Sequence, residues 1–257
     1  MQMLNTEQAQ IIRNDLGEGV VELVLNREPV NALTAPFLMD FASKLEGIAA
    51  DKGVRAVVLS SAFKVYSGGL DLKEAQTFER DTENAIVDGL NIGFLTQFAF
   101  PKPLVAAITG SAIAGGLFFV LASDWRVASP NAKFGLAEVR VGADFPVGPL
   151  EIARTTLPPD AFRRLMLTGQ PITAEAAVAA GIVDQLSDVN EVRESAISKA
   201  QELAQIPTAT YGRVKAQMRA PTIALIQAGM ALLKDDPERH WFGPETKPAM
   251  REMLKAK

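Results

Sequence analysis

Residues 102–129 read KPLVAAITGSAIAGGLFFVLASDWRVAS. PLVAAITG (103–110) is a short apolar run rich in β-branched residues, and it reads as a strand buried on both faces. The glycines of SAIAGG then turn the chain into the apolar helix LFFVLAS, and DWRVASP returns as a further strand. The same order occurs earlier. VRAVVLSS (54–61) is a buried strand, and YSGGLDLKEA leaves it through two glycines to enter a helix. Strand, glycine turn and helix in repetition argue an α/β fold with stacked parallel strands.

Outward from these units the pattern continues in both directions. GVVELVLN (19–26) alternates as a strand, REPVNALT follows as a loop, and Thr34 caps a helix that tolerates Pro36 in its first turn and lines up Phe37, Phe41, Leu45 and Ile48. From about residue 148 helical patterns dominate. TAEAAVAAG (173–181) starts at a Thr cap and stops at a Gly, and residues 188–206 are amphipathic. Residues 208–257 read as helical with breaks near Pro221, Pro237 and GPETKP. No low-complexity linker separates the halves, so the helical part is expected to pack on its own core or on another subunit.

Composition narrows the function classes. The chain has 257 residues, 26 basic against 30 acidic for a net charge of −4, no cysteine and one histidine, His240. That balance lacks the positive field of a nucleic-acid binder, and no thiolate or His-rich metal site can be built. No basic leader with an apolar run and no long uncharged apolar segment is present, which leads us to expect a soluble, cytoplasmic protein without a membrane partner. GxxxxGK[ST], GxGxxG and GxSxG are absent. His240 is expected to pack beside Trp241 and Phe242 rather than serve a catalytic triad.

Two features carry chemistry. The glycine turns SGGLD (67–71) and AGG (114–116) each open a helix, where backbone N–H groups have no internal partner. They either form an oxyanion hole or simply relieve crowding between strand and helix. Glu138, in KFGLAEVRVGADFP (133–146), is either a surface carboxylate paired with Arg140 or the acid of a reaction.

NREPVNALT, VYSGGLDLKE, the 102–129 stretch, AKFGLAEVRVG and LTGQPITAEAAVAAGIVDQL together resemble the crotonase (enoyl-CoA hydratase/isomerase) superfamily over nearly the whole chain. The resemblance implies a spiral of ββα units that binds acyl-CoA, spanning residues 1–190. It also implies a helical C-terminal region, 191–257, that supports a homotrimer or hexamer. A thioester oxygen would be held by two backbone amides, which the family pattern puts at Gly68 and Gly115. Tyr66, Ser67, Gly68, Gly69, Leu70 and Asp71 would line the substrate path, with Asp71 also placed to cap the next helix.

Hydratases of this family carry two glutamates. Here Phe118 takes the place of the first, and Glu138 supplies the second. One glutamate, an apolar residue opposite it and Pro146 together resemble the mitochondrial-type Δ3,Δ2-enoyl-CoA isomerases. The expected reaction therefore shifts a 3-enoyl double bond to the 2-trans position with Glu138 as single acid and base. The coenzyme A thioester is the substrate, and no metal, flavin or nicotinamide cofactor is called for. Asp144, six residues on, is either a second acid or a solvated loop residue. Hydration, decarboxylation or hydrolysis of an acyl-CoA, and a silent acyl-CoA-binding subunit, are the rival readings.

Overall fold

The structure is a computed structural model that describes residues 9–255 other than 235 and 237. The first eight residues of the N-terminal stretch and the break expected at Pro237 lie outside the described residues. In chain order the elements are β1 (Ile11–Asp15), β2 (Val20–Leu25), α1 (Ala35–Ala50), β3 (Ala56–Ser61), α2 (Leu72–Ala75), α3 (Arg80–Ala99), β4 (Leu104–Ile108) and β5 (Ala112–Ile113). Then come a 3-10 turn (Ala114–Leu117), α4 (Phe118–Leu121), β6 (Trp125–Ala128), β7 (Lys133–Gly135) and a second 3-10 turn (Glu138–Val141). The last part holds α5 (Val147–Thr156), α6 (Pro159–Thr168), β8 (Ile172–Thr173), α7 (Ala174–Ala179), β9 (Gln185–Leu186), α8 (Val192–Ala204), α9 (Thr208–Lys234) and α10 (Thr246–Lys255).

The main sheet runs β1-β2-β3-β4-β6-β9, parallel throughout except for the antiparallel β1–β2 pair. Each pass of the chain also gives a short stretch to a second layer. Leu33 bridges to Leu70, Ser67 to Ala112, and β5 pairs with β7, which pairs in turn with β8. This alternation between two layers is the spiral of repeating units that the family resemblance implies.

Strands buried on both faces are apolar on both. Along β3, Val57 and Leu59 join the large core under α1 and α3, whereas Ala56 and Val58 face the other way, toward Val192, Ala196, Ala200 and Ala204 of α8. α8 lies beyond the expected boundary at residue 190, yet it covers the back of the main sheet. Its Arg193 binds the buried Glu22 of β2 through two nitrogens, at 2.9 and 2.8 Å.

Several helices differ from expectation in extent. The helix after SGGLD is a single turn, α2, capped by Asp71, whose carboxylate accepts from the Lys73 and Glu74 amides. The apolar helix after AGG is a 3-10 turn followed by one α turn. α9 runs straight through Pro221, which was expected to break it. Tertiary contacts on both sides of the proline, from Lys215, Arg219, Thr222 and Ile226, hold the helix where propensity alone would not.

Asp124 anchors α9. Its oxygens meet Lys215 Nζ at 2.6 Å and an Arg219 nitrogen at 2.8 Å, and one also accepts from the Leu104 amide at 2.9 Å. Arg219 further donates to the Phe98 carbonyl at 2.6 Å and lies 4.3 Å from the Phe98 ring centroid. Burial holds the Lys215 ammonium down, to about 8, against the pull of Asp124. Asp124→Ala would leave two buried cations facing each other without a counter-charge, at a cost of about 3–5 kcal/mol. We expect a correspondingly lower urea midpoint at neutral pH, and an unchanged midpoint would refute the anchoring role.

Candidate active site

The two glycine turns meet. β3 and β4 are neighbouring parallel strands, so the chain leaves both at the same end of the sheet. Gly69 adopts φ +75°, and a Cβ there would lie 2.8 Å from the Ala114 Cβ and 2.9 Å from the Ile113 carbonyl oxygen. Ala114 itself has φ +52°, a left-handed backbone that is uncommon for a residue with a side chain. Gly115 follows at the start of the 3-10 turn, where its N–H has no partner within the helix.

The expected donors need one correction. The Gly68 amide already donates to the Val30 carbonyl at 2.9 Å, so it is not free to bind a ligand. Among the described residues the Leu70 N–H meets no acceptor. Leu70 and Gly115, not Gly68 and Gly115, are therefore the pair of amides open to an oxyanion.

A cavity of about 190 Å³ lies against this contact, lined by Leu70, Ile113, Gly115, Phe118, Val141 and Phe145 among others. Of the six residues expected along the substrate path, only Gly68 and Leu70 line it. Tyr66 and Ser67 are fully buried. The Tyr66 hydroxyl donates to the Leu59 carbonyl, and the Ser67 hydroxyl donates to the Asn31 carbonyl. These two side chains tie the turn to its neighbours and do not line the cavity. Gly69 supplies the bend, and Asp71 is the α2 cap.

Glu138 opens the second 3-10 turn and lines the same cavity at 8 % exposure. Its Oε2 has no hydrogen-bond partner. Burial pushes its pKa up from 4.5 to about 8, opposed only by its own backbone amide. Arg140 does not pair with it. The Arg140 side chain is exposed and donates to the Thr168 carbonyl at 2.9 Å. Phe118 is 1 % exposed, packs 5.5 Å from Phe94 and 6.5 Å from Phe145 between ring centroids, and shares the cavity lining.

Asp144 is not part of this arrangement. It is exposed, is absent from the cavity lining, and contributes its backbone carbonyl to the Trp241 indole N–H at 2.9 Å. It is the solvated loop residue of the two alternatives. Trp241, Met250 and Met253 line the cavity from the C-terminal segment, which sequence reasoning had not connected with the site. His240 is exposed, with Nδ1 2.8 Å from the Glu238 carbonyl, and takes no part. Among the described residues no group of three His, Cys, Asp or Glu could hold a metal ion, and no helix is long and apolar enough to cross a membrane.

Comparison with known proteins matches this geometry. The probable enoyl-CoA hydratase EchA17 of Mycobacterium tuberculosis is 33% identical over 200 residues, 77% of this chain and 76% of its own length. The 2,3-dehydroadipyl-CoA hydratase of Escherichia coli is 30% identical over 213 residues, 82% of this chain and 83% of the relative. Among solved structures, human mitochondrial delta3-delta2-enoyl-CoA isomerase superposes with a TM-score of 0.82 at 26% identity, covering 96% of this chain and 98% of the human one. The family described as Enoyl-CoA hydratase/isomerase matches residues 15–235. With its two-layer spiral, its apposed glycine turns and its buried glutamate, the chain belongs to the enoyl-CoA hydratase/isomerase family and has the crotonase fold.

Proposed function

We propose that the protein is an enoyl-CoA isomerase that moves a double bond from C3 to C2 of an acyl-CoA. The observation that carries this reading is that Glu138 is the one ionisable side chain lining the cavity among the described residues. In the proposed route the Glu138 carboxylate takes a proton from C2, and the electrons move into the thioester carbonyl to give a dienolate. The Leu70 and Gly115 amides donate to its oxygen. Glu138, now protonated, returns the proton to C4, and the conjugated 2-enoyl thioester results. Nothing is consumed but the substrate, and one group both takes and gives the proton. A pKa raised by burial suits that double duty.

The names of the curated relatives favour a second reading, hydration of a 2-enoyl-CoA. Against it stands Phe118, whose ring can neither hold nor deprotonate a water. Folded wild type should convert 3-hexenoyl-CoA to the conjugated thioester much faster than it hydrates crotonyl-CoA, and Phe118→Glu should raise hydration. Faster hydration than isomerisation by wild type would reverse the choice.

Glu138→Gln should retain acyl-CoA binding and lose at least ~10²-fold in turnover, the scale of general acid–base catalysis. For the wild type, kcat/KM should rise about tenfold per pH unit below 8 and level off above it, because only the carboxylate can act as base. Stability moves the other way. Below pH 4.5 folded and unfolded chains both hold this proton. Between 4.5 and 8 the unfolded chain gives it up first, so the native state is progressively disfavoured, and above 8 the full cost stands. Denaturation of wild type and Glu138→Gln should therefore diverge by up to about 1.4 kcal/mol per pH unit across that window. Parallel curves would mean that Glu138 is solvated.

We also propose that the chain self-associates, as a trimer or hexamer. Support comes from the outer face of α9, where Met218, Leu225 and Leu232 are spaced seven residues apart and are 76%, 58% and 80% exposed. Sedimentation equilibrium should give a multiple of the 27.6 kDa chain mass, reduced by Leu225→Lys with Leu232→Lys. A monomeric wild type would dispose of this.

A further inference from the structure

The wall that the C-terminal segment gives to the cavity is secured by contacts that have no part in the proposed chemistry. Arg239 donates to Asp88 of α3 at 2.7 Å. The buried Glu83, also on α3, accepts from the Trp241 and Phe242 amides at 3.4 and 3.3 Å. Phe242 stacks on Phe78 with ring centroids 6.3 Å apart, and Lys247 donates to the Phe78 carbonyl at 2.6 Å. Thus fastened, α10 packs both on the 3-10 turn that carries Glu138 and on α2, just past the Gly69 turn. It spans the two halves of the site, and Trp241, Met250 and Met253 line the chamber between them.

The chemistry of that chamber is uniform. Apart from Glu138, its side chains are aliphatic, aromatic, proline or methionine, and the one N–H among them, on Trp241, is already donated to Asp144. A hydroxyl or carboxylate on the acyl chain would lose water there and, with the Leu70 and Gly115 amides given to the thioester oxygen and Glu138 to the proton transfer, find no further side-chain partner in exchange. A methylene would gain.

We propose that this chamber takes a plain hydrocarbon acyl chain, and that Trp241, Met250 and Met253 of the latched C-terminal segment set its maximum length. This rests on the reading of the cavity as an acyl-CoA site. Methionine suits such a limit. It is unbranched and fills irregular space, so removing it opens the chamber without disturbing the sheet.

The test is calorimetric binding of saturated acyl-CoAs from butanoyl to dodecanoyl, which are not turned over. Each methylene that enters the chamber should tighten binding about fourfold, until the wall is reached and the gain stops. Met253→Ala should move that break to longer chains, and Met253→Phe to shorter ones. If the alanine variant does not fold, Met253→Phe and Trp241→Phe carry the comparison. Butanoyl- to dodecanoyl-CoA series that break at one common length in all variants, or that never break in wild type, overturn the proposal. An ω-carboxylated acyl-CoA that binds as well as the hydrocarbon chain of equal length also overturns it. Failure of wild type to isomerise a 3-enoyl-CoA while these breaks shift as expected would count against the proposed reaction and leave the length limit standing.

Discussion

The backbone of Gly69 passes so close to Ile113 and Ala114 that no side chain fits between them. This contact makes one site of two loops. Leu70 and Gly115 are far apart in sequence, and each amide alone is an ordinary unpaired donor at the end of a strand. Pressed together, the turns carry both amides to the wall of a single chamber. The parallel pairing of β3 with β4 makes the encounter possible, because adjacent parallel strands deliver their following loops to one edge, where ligands of open α/β sheets also collect.

Charge is handled in two opposite ways in the same molecule. Lys215 and Arg219 share Asp124, Glu22 is held by Arg193, Lys102 caps the end of α1 through the Ile48 and Asp51 carbonyls, and Glu83 receives two amides. Each buried charge in these places is answered, as a low-dielectric interior requires. Glu138 is not, and one of its oxygens faces no partner at all. Its raised pKa comes from burial with no cation beside it and only its own backbone amide in opposition, and the proposed proton shuttle requires a carboxyl left in that state.

Local patterns in the sequence were sufficient for much of this. Buried strands, the Thr34 and Thr173 caps and the glycine turns are short-range features, and the chain forms them where they are written. Glu138 and Phe118 were legible through the motif they belong to. The free amide was not. Whether Gly68 or Leu70 keeps its N–H depends on where the Val30 carbonyl lands, and Val30 belongs to a different loop. The edge strand β1 leaves little trace in the sequence because only Ile11 among its residues is fully buried, so its alternation is faint. The helix through Pro221 and the contribution of Trp241, Met250 and Met253 depend on partners distant in sequence, which periodicity does not report.

The two margins of the main sheet bear on how copies of this chain behave when crowded. An open edge strand offers unpaired amides and carbonyls to any neighbour, and long apolar edges zip together into aggregates. Among the described residues one margin is β1, whose Arg13, Asn14 and Asp15 are exposed, with Arg13 tied to Asp51 and Asn14 to Glu22. The opposite margin is β9, only two residues long. A polar border on one side and a stub on the other give a second sheet little to join. The proposed self-association is thereby left to helix faces, whose side-chain packing can be undone without unfolding either chain.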